Sequence, residues 1–339
     1  NYKLIIKNEM ENENLKSNSE LEKIFSLPVS IIIAALILAG AWLYNSKLES
    51  SNGSLKANLA SSQQGIKKSE LEEKILPTEG VELPVNWGNL GKELVSTGAI
   101  DGARFKALYE QRGQFTEEYE KLLLGDNNGK LKINEKNASY LLNLFWALGL
   151  SNSNSILNDS KEMRNPSYGG AGGFASTGGW SMAMGDPMDH YNRHIFFKLT
   201  PEQQALVDKI SRGIYRPCCN NSTHFPDCNH GMAMLGFLEL MASQGVNEQD
   251  MWKAALAVNS YWFPDTYINI ATYMKNKGTE WKNVNPQEIL GINYSSGSGY
   301  AQIASQITQP AQRSSSGGCE VDTGQSAPVQ QKQQSGCGI

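Results

Sequence analysis

The sequence predicts a mainly α-helical protein carried on a single N-terminal transmembrane helix. Three observations lead there. Residues 25–44 form an uncharged apolar run. Apolar residues recur at helical spacing, with matching caps, between residues 137 and 278. Polar stretches on either side hold too little apolar surface to fold alone. Of the 339 residues, 40% are hydrophobic and 19% charged, which is enough apolar material for a core. The net charge is −4 and no Lys/Arg-rich run occurs, so the chain lacks the basic face that a nucleic-acid partner requires.

Residues 1–24 are expected to be a cytoplasmic N-terminal segment. From Phe25 to Tyr44 the chain reads FSLPVSIIIAALILAGAWLY, which as a helix spans about 30 Å, the thickness of a hydrocarbon core. Trp42 and Tyr44 sit where interfacial aromatics belong. Ala39-Gly40-Ala41 also fits a signal-peptide cleavage site, but the apolar run continues beyond it, which favours an uncleaved signal anchor in the cell membrane. Either arrangement exports the large C-terminal part to an extracytoplasmic compartment where disulfides persist. Residues 45–84, rich in Ser, Asn, Lys and Glu, read as a tether with a reach of about 35 Å, or as carrying a short surface helix over Lys67 to Ile75.

Residues 85–155 are expected to be a helical subdomain. Asn137-Ala-Ser139 precedes Tyr140, Leu141, Leu142, Leu144, Phe145 and Leu148, a buried helix that Gly149 begins to close. Asp126-Asn-Asn-Gly129 resembles the start of a calcium loop, but Leu131 and Asn137 occupy the positions that need Gly and Glu, so it reads as a tight turn.

Residues 156–307 are expected to be a helical Cys/His domain. The glycine-dense run Tyr168 to Trp180 fits G-x-G-x-x-A at Gly170, Gly172 and Ala175. It has neither a leading strand nor a following helix, so it reads as a close-packed turn rather than a dinucleotide loop. Thr200-Pro201-Glu202-Gln203 then makes a capping box with a first-position proline, opening a helix that ends near Gly213. A second helix starts around His230 and stops at Gly245. Asn247 with Asp250 caps a third, and Pro264 starts a fourth that Gly278 ends. Residues 308–339 are a low-complexity, disordered tail that carries Cys319 and Cys337 between small neighbours.

The chemistry is concentrated. All four histidines, His190, His194, His224 and His230, and three of the five cysteines, Cys218, Cys219 and Cys228, fall within residues 190–230. Imidazole and thiolate are the groups that hold zinc or copper or perform thiol redox work. Tyr215 to Asn229 is placed as a loop between two helices, stiffened by Pro217 and Pro226. Cys228 and His230 are then at a helix N-terminus, where free N–H groups favour thiolate. His190 and His194, four apart, share a face if that stretch is helical. Met182, Met184, Met188, Met232 and Met234 flank the cluster, where thioethers are either core filler or ligands selective for Cu(I).

The leading expectation is therefore a metal site, copper or zinc, with a binding or trafficking role and another exported thiol or metal-handling protein as partner. Its ligands are Cys218, Cys219, Cys228 and His230, followed by His224, His190 and His194. Thiol–disulfide exchange is the alternative, with Cys228 as the helix-terminal nucleophile and Cys218 or Cys219 resolving it. A disulfide from Cys218 or Cys219 to Cys228, pinning a non-catalytic interaction surface, is the third. Adjacent cysteines rarely bond each other without strain, so one sulfur is left over in any pairing.

The stretch from Tyr215 to Phe263, with its CC, HGMAMLGFLELMASQG, VNEQDMWKAALAVN and YWF segments, resembles the cytochrome c maturation haem-ligation subunit family. In layout both have a cysteine pair, a helix, a Gly-punctuated turn and a second helix ending near aromatics. The resemblance implies thiol exchange on apocytochrome cysteines outside the cytoplasm. The family carries C-x-x-C and a membrane helix at the opposite end. Here Cys218 and Cys219 are adjacent and Cys228 follows nine residues after Cys219.

Overall fold

The computed structural model describes residues 68–308 and residue 310, so the expected transmembrane helix, most of the tether and nearly all of the tail lie outside the described residues. Among the described residues no helix is long and apolar enough to cross a membrane. The fold is mainly helical, with one two-stranded sheet.

The chain opens with α1 (Glu70–Ile75), closed at its start by a Ser69/Glu72 capping box. Strand β1 (Val81–Gly88) follows, then α2 (Leu90–Ser96), α3 (Gly102–Gln111) and α4 (Glu117–Leu124). Strand β2 (Asn128–Ile133) returns antiparallel to β1, with a register irregularity between Glu82 and Asn86 around Pro84. These strands correct the expectation that residues 85–155 form a purely helical subdomain. Leu83, Val85 and Trp87 alternate with Glu82, Pro84 and Asn86, and the buried members face the core, which is the period of a half-buried strand. The turn expected at Asp126 to Gly129 is instead a bend leading directly into β2.

The core is built on α5 (Ala138–Ser151) and α7 (Asn229–Ser243). Both are buried on nearly every face, as helices apolar all round must be. Gly149 does not close α5; it lies inside it, where a Cβ would come within 2.1 Å of the Met232 carbonyl oxygen. Gly236 faces it from α7, where a Cβ would meet the Gly149 nitrogen and the Phe145 carbonyl at 2.5 Å. Two glycines thus let the helix backbones touch. This crossing joins the two stretches on either side of residue 155 in one core.

Between α5 and α6 (Pro201–Gly213) the chain makes only short 3-10 turns. The glycine run is anchored by Trp146 Nε1 donating to the Ser176 carbonyl at 2.6 Å and Trp180 Nε1 donating to that of Ala99 at 2.8 Å. The capping box of α6 forms as read, with Thr200 and Gln203 reciprocally bonded. Helices α8 (Glu248–Trp262) and α9 (Pro264–Asn276) start where Asn247 and Pro264 were expected to open them. Three short helices follow: α10 (Pro286–Ile289), α11 (Ile292–Ser295) and α12 (Gly297–Ala304).

One carboxyl is sealed in this core. Glu239 of α7 is fully buried, accepts from Asn152 Nδ2 at 2.6 Å through Oε2, and has no partner at Oε1. Burial outweighs the help of Asn152 and Asn154 and pushes its pKa from the ordinary 4.5 up to about 8. Between those values the folded chain holds a proton that the unfolded chain releases, so stability falls as pH rises through that window. Glu239→Gln is expected to raise the thermal midpoint relative to the natural chain near pH 8 and to leave it little changed near pH 4 (roughly the two ends of the window), read by circular dichroism melts. Gly149→Ala is expected to cost about 1–3 kcal/mol by overpacking the helix crossing, read as a lower denaturant midpoint.

Candidate thiol and metal centre

The loop from Ile214 to Asp227 is stitched to four parts of the molecule. Thr223 N donates to the Ile214 carbonyl and His224 N to that of Ser211, which ties the loop to the end of α6. Asn259 of α8 donates to the Tyr215 carbonyl at 3.2 Å. Ser176 N of the glycine run donates to the Asp227 carbonyl at 3.1 Å, so that run abuts the loop. The first residues of α12 bind it too, Gly297 N donating to the Cys219 carbonyl and Ser298 N to Asn220 Oδ1, both at 2.8 Å.

At the centre of the loop is a side chain that sequence reasoning passed over. Arg216 is 1% exposed. Its Nε donates to Cys228 Sγ at 2.9 Å and its Nη1 to the Asn221 carbonyl at 3.0 Å. Its Nη2 donates to the Phe225 carbonyl at 2.9 Å and pairs with Asp227 Oδ1 at 2.5 Å. Asn221 Nδ2 donates to the other Asp227 oxygen at 2.8 Å. A buried guanidinium is tolerable only when its donors find acceptors and its charge is balanced; here four hydrogen bonds and the Asp227 carboxylate come from residues 221–228. Gly231 makes the fit possible, because a Cβ there would lie 2.5 Å from the guanidinium carbon.

Cys228 is the N-cap of α7 and 2% exposed, as expected from the helix punctuation. No disulfide joins Cys218, Cys219 and Cys228. The Cys218 and Cys228 sulfurs are 3.7 Å apart. Hydrogen bonding from Cys218 and Cys219, the Arg216 charge and His230 together overcome burial and hold the Cys228 thiol well below its ordinary value. For Cys219, the lowering from Cys218 is outweighed by Cys228 and burial, which push it up to about 12, and its sulfur lies 4.0 Å from the Asn221 carbonyl. Of these two thiols, Cys228 is the more readily ionised. Burial lifts the Asp227 carboxyl above its ordinary value, against the pull of Arg216.

His230, 8% exposed, is the one histidine that joins the sulfurs. A ring nitrogen of His230 and the sulfurs of Cys218 and Cys228 lie within 4.8 Å of one another, and Cys219, Asp227 and Cys228 form a second such trio. His230 Nδ1 is buried without a hydrogen-bond partner, while the ring packs on Phe263 at a centroid distance of 4.4 Å.

The other three histidines are engaged elsewhere. His224 Nδ1 meets Glu162 Oε2 at 2.8 Å and its Nε2 meets Asp208 Oδ1 at 2.9 Å; with Asp159 and Glu162 it makes a further metal-capable group that contains none of the sulfurs. His190 and His194 do face each other, Nδ1 to Nε2 at 3.0 Å, but not on a helix. Pro187 starts a 3-10 turn and Asn192 takes φ +56°, which breaks any helical continuation. His190 Nε2 must donate to the Met184 carbonyl at 2.9 Å, so its Nδ1 accepts from His194 and neither nitrogen of His190 is open to an ion. Burial first, then His190 and Arg193, lower the pKa of His194. Neither residue belongs to a metal-capable group among the described residues.

Comparison with family models, curated proteins and solved structures finds no match for this chain.

Replacing Arg216 with Met, or crowding it with Gly231→Ala, is expected to raise the Cys228 pKa by one unit or more, each unit being about 1.4 kcal/mol. The readout is the pH dependence of thiolate ultraviolet absorbance and of alkylation rate. An unchanged titration in both variants would show that the guanidinium does not set the thiolate.

Proposed function

We propose that the Arg216-centred loop is a thiol–disulfide exchange site, in which Cys218 and Cys228 alternate between dithiol and disulfide. The observation that carries this is the 2.9 Å contact from a buried, charge-balanced guanidinium to a sulfur that has a second sulfur 3.7 Å away. A disulfide needs the sulfurs at about 2.05 Å, so closing the bond requires them to approach from their present 3.7 Å. Because the charge of Arg216 stabilises the reduced thiolate more than the neutral disulfide, the couple is expected to be oxidising. The apolar run Phe25 to Tyr44 supports placing the site on the outer side of a membrane, where partner disulfides exist. The resemblance of Tyr215 to Phe263 to cytochrome c maturation haem-ligation subunits agrees with this chemistry.

The unpartnered Nδ1 of His230 supports a second reading, a copper or zinc ion held by Cys218, Cys228 and His230 with one position open. Three ligands with an open position suit transfer of an ion rather than a closed structural site.

Equilibration in glutathione redox buffers, followed by mass-spectrometric mapping, is expected to give a Cys218–Cys228 disulfide with a potential above about −200 mV, falling when Arg216 is replaced by Met. A potential below about −300 mV, the range of inert structural disulfides, would defeat the exchange reading. Metal analysis of untagged protein beside Cys228→Ser and His230→Phe checks the second reading, which requires an ion in the natural chain that both variants lose.

A further inference from the structure

The sulfur that Arg216 contacts and the more exposed sulfur belong to different residues in this site. In the usual arrangement the low-pKa cysteine is also the exposed one and attacks first. Here the stabilised sulfur, Cys228, is 2% exposed, fixed at the N-cap of α7 and covered by Arg216 on one side. An incoming disulfide cannot align behind it. Cys218 is partly exposed, and its sulfur is 3.7 Å from that of Cys228. Cys219 is also partly exposed and its sulfur lies within 4.8 Å of that of Cys228, but it meets the Asn221 carbonyl at 4.0 Å, whereas Cys218 and Cys228 form the 3.7 Å sulfur pair.

From this geometry we infer that Cys218 is the thiol that receives an external disulfide, that Cys228 is its internal base and resolving thiolate, and that Cys219 takes no covalent part. This rests on the exchange reading above and specifies its order. In the first step the Cys218 sulfur attacks one sulfur of an external disulfide RS–SR. The Cys218 proton passes to the Cys228 thiolate 3.7 Å away, a Cys218–SR bond forms and RS⁻ leaves. RS⁻ then takes the proton back from Cys228, whose ionised form Arg216 favours, and departs as RSH. In the second step the Cys228 thiolate attacks the Cys218 sulfur, closing the Cys218–Cys228 bond and releasing the second RS⁻. One disulfide is reduced, one is formed, and the single proton ends on RSH. The substrate class is a disulfide small or extended enough to present a sulfur at the loop surface.

The test uses the full-length chain with Cys319→Ser and Cys337→Ser, reduced and then exposed to glutathione disulfide. With Cys228→Ser added, a glutathione adduct is expected to accumulate on Cys218, because the resolving step is gone. Cys218→Ser is expected to slow all adduct formation at least tenfold, and Cys219→Ser to leave the rate within about twofold. In the otherwise natural chain, brief iodoacetamide treatment should mark Cys218 before Cys228, a readout free of any folding defect in the variants. An adduct mainly on Cys219, or prompt modification of Cys228 in the Cys218→Ser chain, overturns the order while leaving exchange intact. Failure of the Cys218–Cys228 disulfide to form at all overturns both.

Discussion

The buried charge of Arg216 is the constraint on which the rest of the centre depends. Moving a guanidinium out of water costs several kcal/mol unless every N–H finds an acceptor and a counter-charge lies beside it. The loop answers with two backbone carbonyls, one carboxylate and one sulfur, contributed by Asn221, Phe225, Asp227 and Cys228. A chain segment that must deliver four acceptors to one planar cation has little conformational freedom left. The same contacts therefore order the loop and help lower the pKa of a sulfur.

Helix α7 links this centre to the core through its glycines. Gly231, in its first turn, leaves room for the guanidinium, and Gly236, one and a half turns later, lets the helix lie against α5 at backbone contact. A shift of α7 along its axis would spoil both fits together. The position of Cys228 at the N-cap is thus tied to the interior packing of the protein, including the buried carboxyl of Glu239 on the same helix. The Cys228 sulfur is placed by helix packing, while Cys218 is carried on the loop.

The dense collection of histidines and cysteines along the chain resolves into three separate arrangements, each with its own chemistry. His224 is held between Glu162 and Asp208 and fastens the loop after α5 to α6. His190 and His194 satisfy one another and a backbone carbonyl beside the chain segment that bridges to Asn152. Only His230 remains beside the sulfurs, in an aromatic wall of Trp262 and Phe263. Proximity in sequence brought seven soft side chains into one window, but the turns at Pro187 and Asn192 and the path of the loop leave them in groups with different partners.

Local rules were enough for much of this protein. Caps such as Thr200 with Gln203, Asn247 with Asp250, and the prolines at 201 and 264 act over three or four residues, so α6, α8 and α9 and the helix-terminal place of Cys228 could be read directly. The alternation in β1 stands in the sequence but reads as tether and helix, because short strands announce themselves weakly beside helical neighbours. Tertiary structure alone decided the role of Arg216, because an arginine in a polar loop reads as a solvated charge until its acceptors, spread over the following twelve residues, are folded around it. It likewise decided that Gly149 belongs inside a helix, since its reason is the facing Gly236, distant in sequence. Interactions that close within a few residues are written in the chain. Those that need two distant segments to meet, above all a buried cation and its anions, exist only once the fold has excluded water.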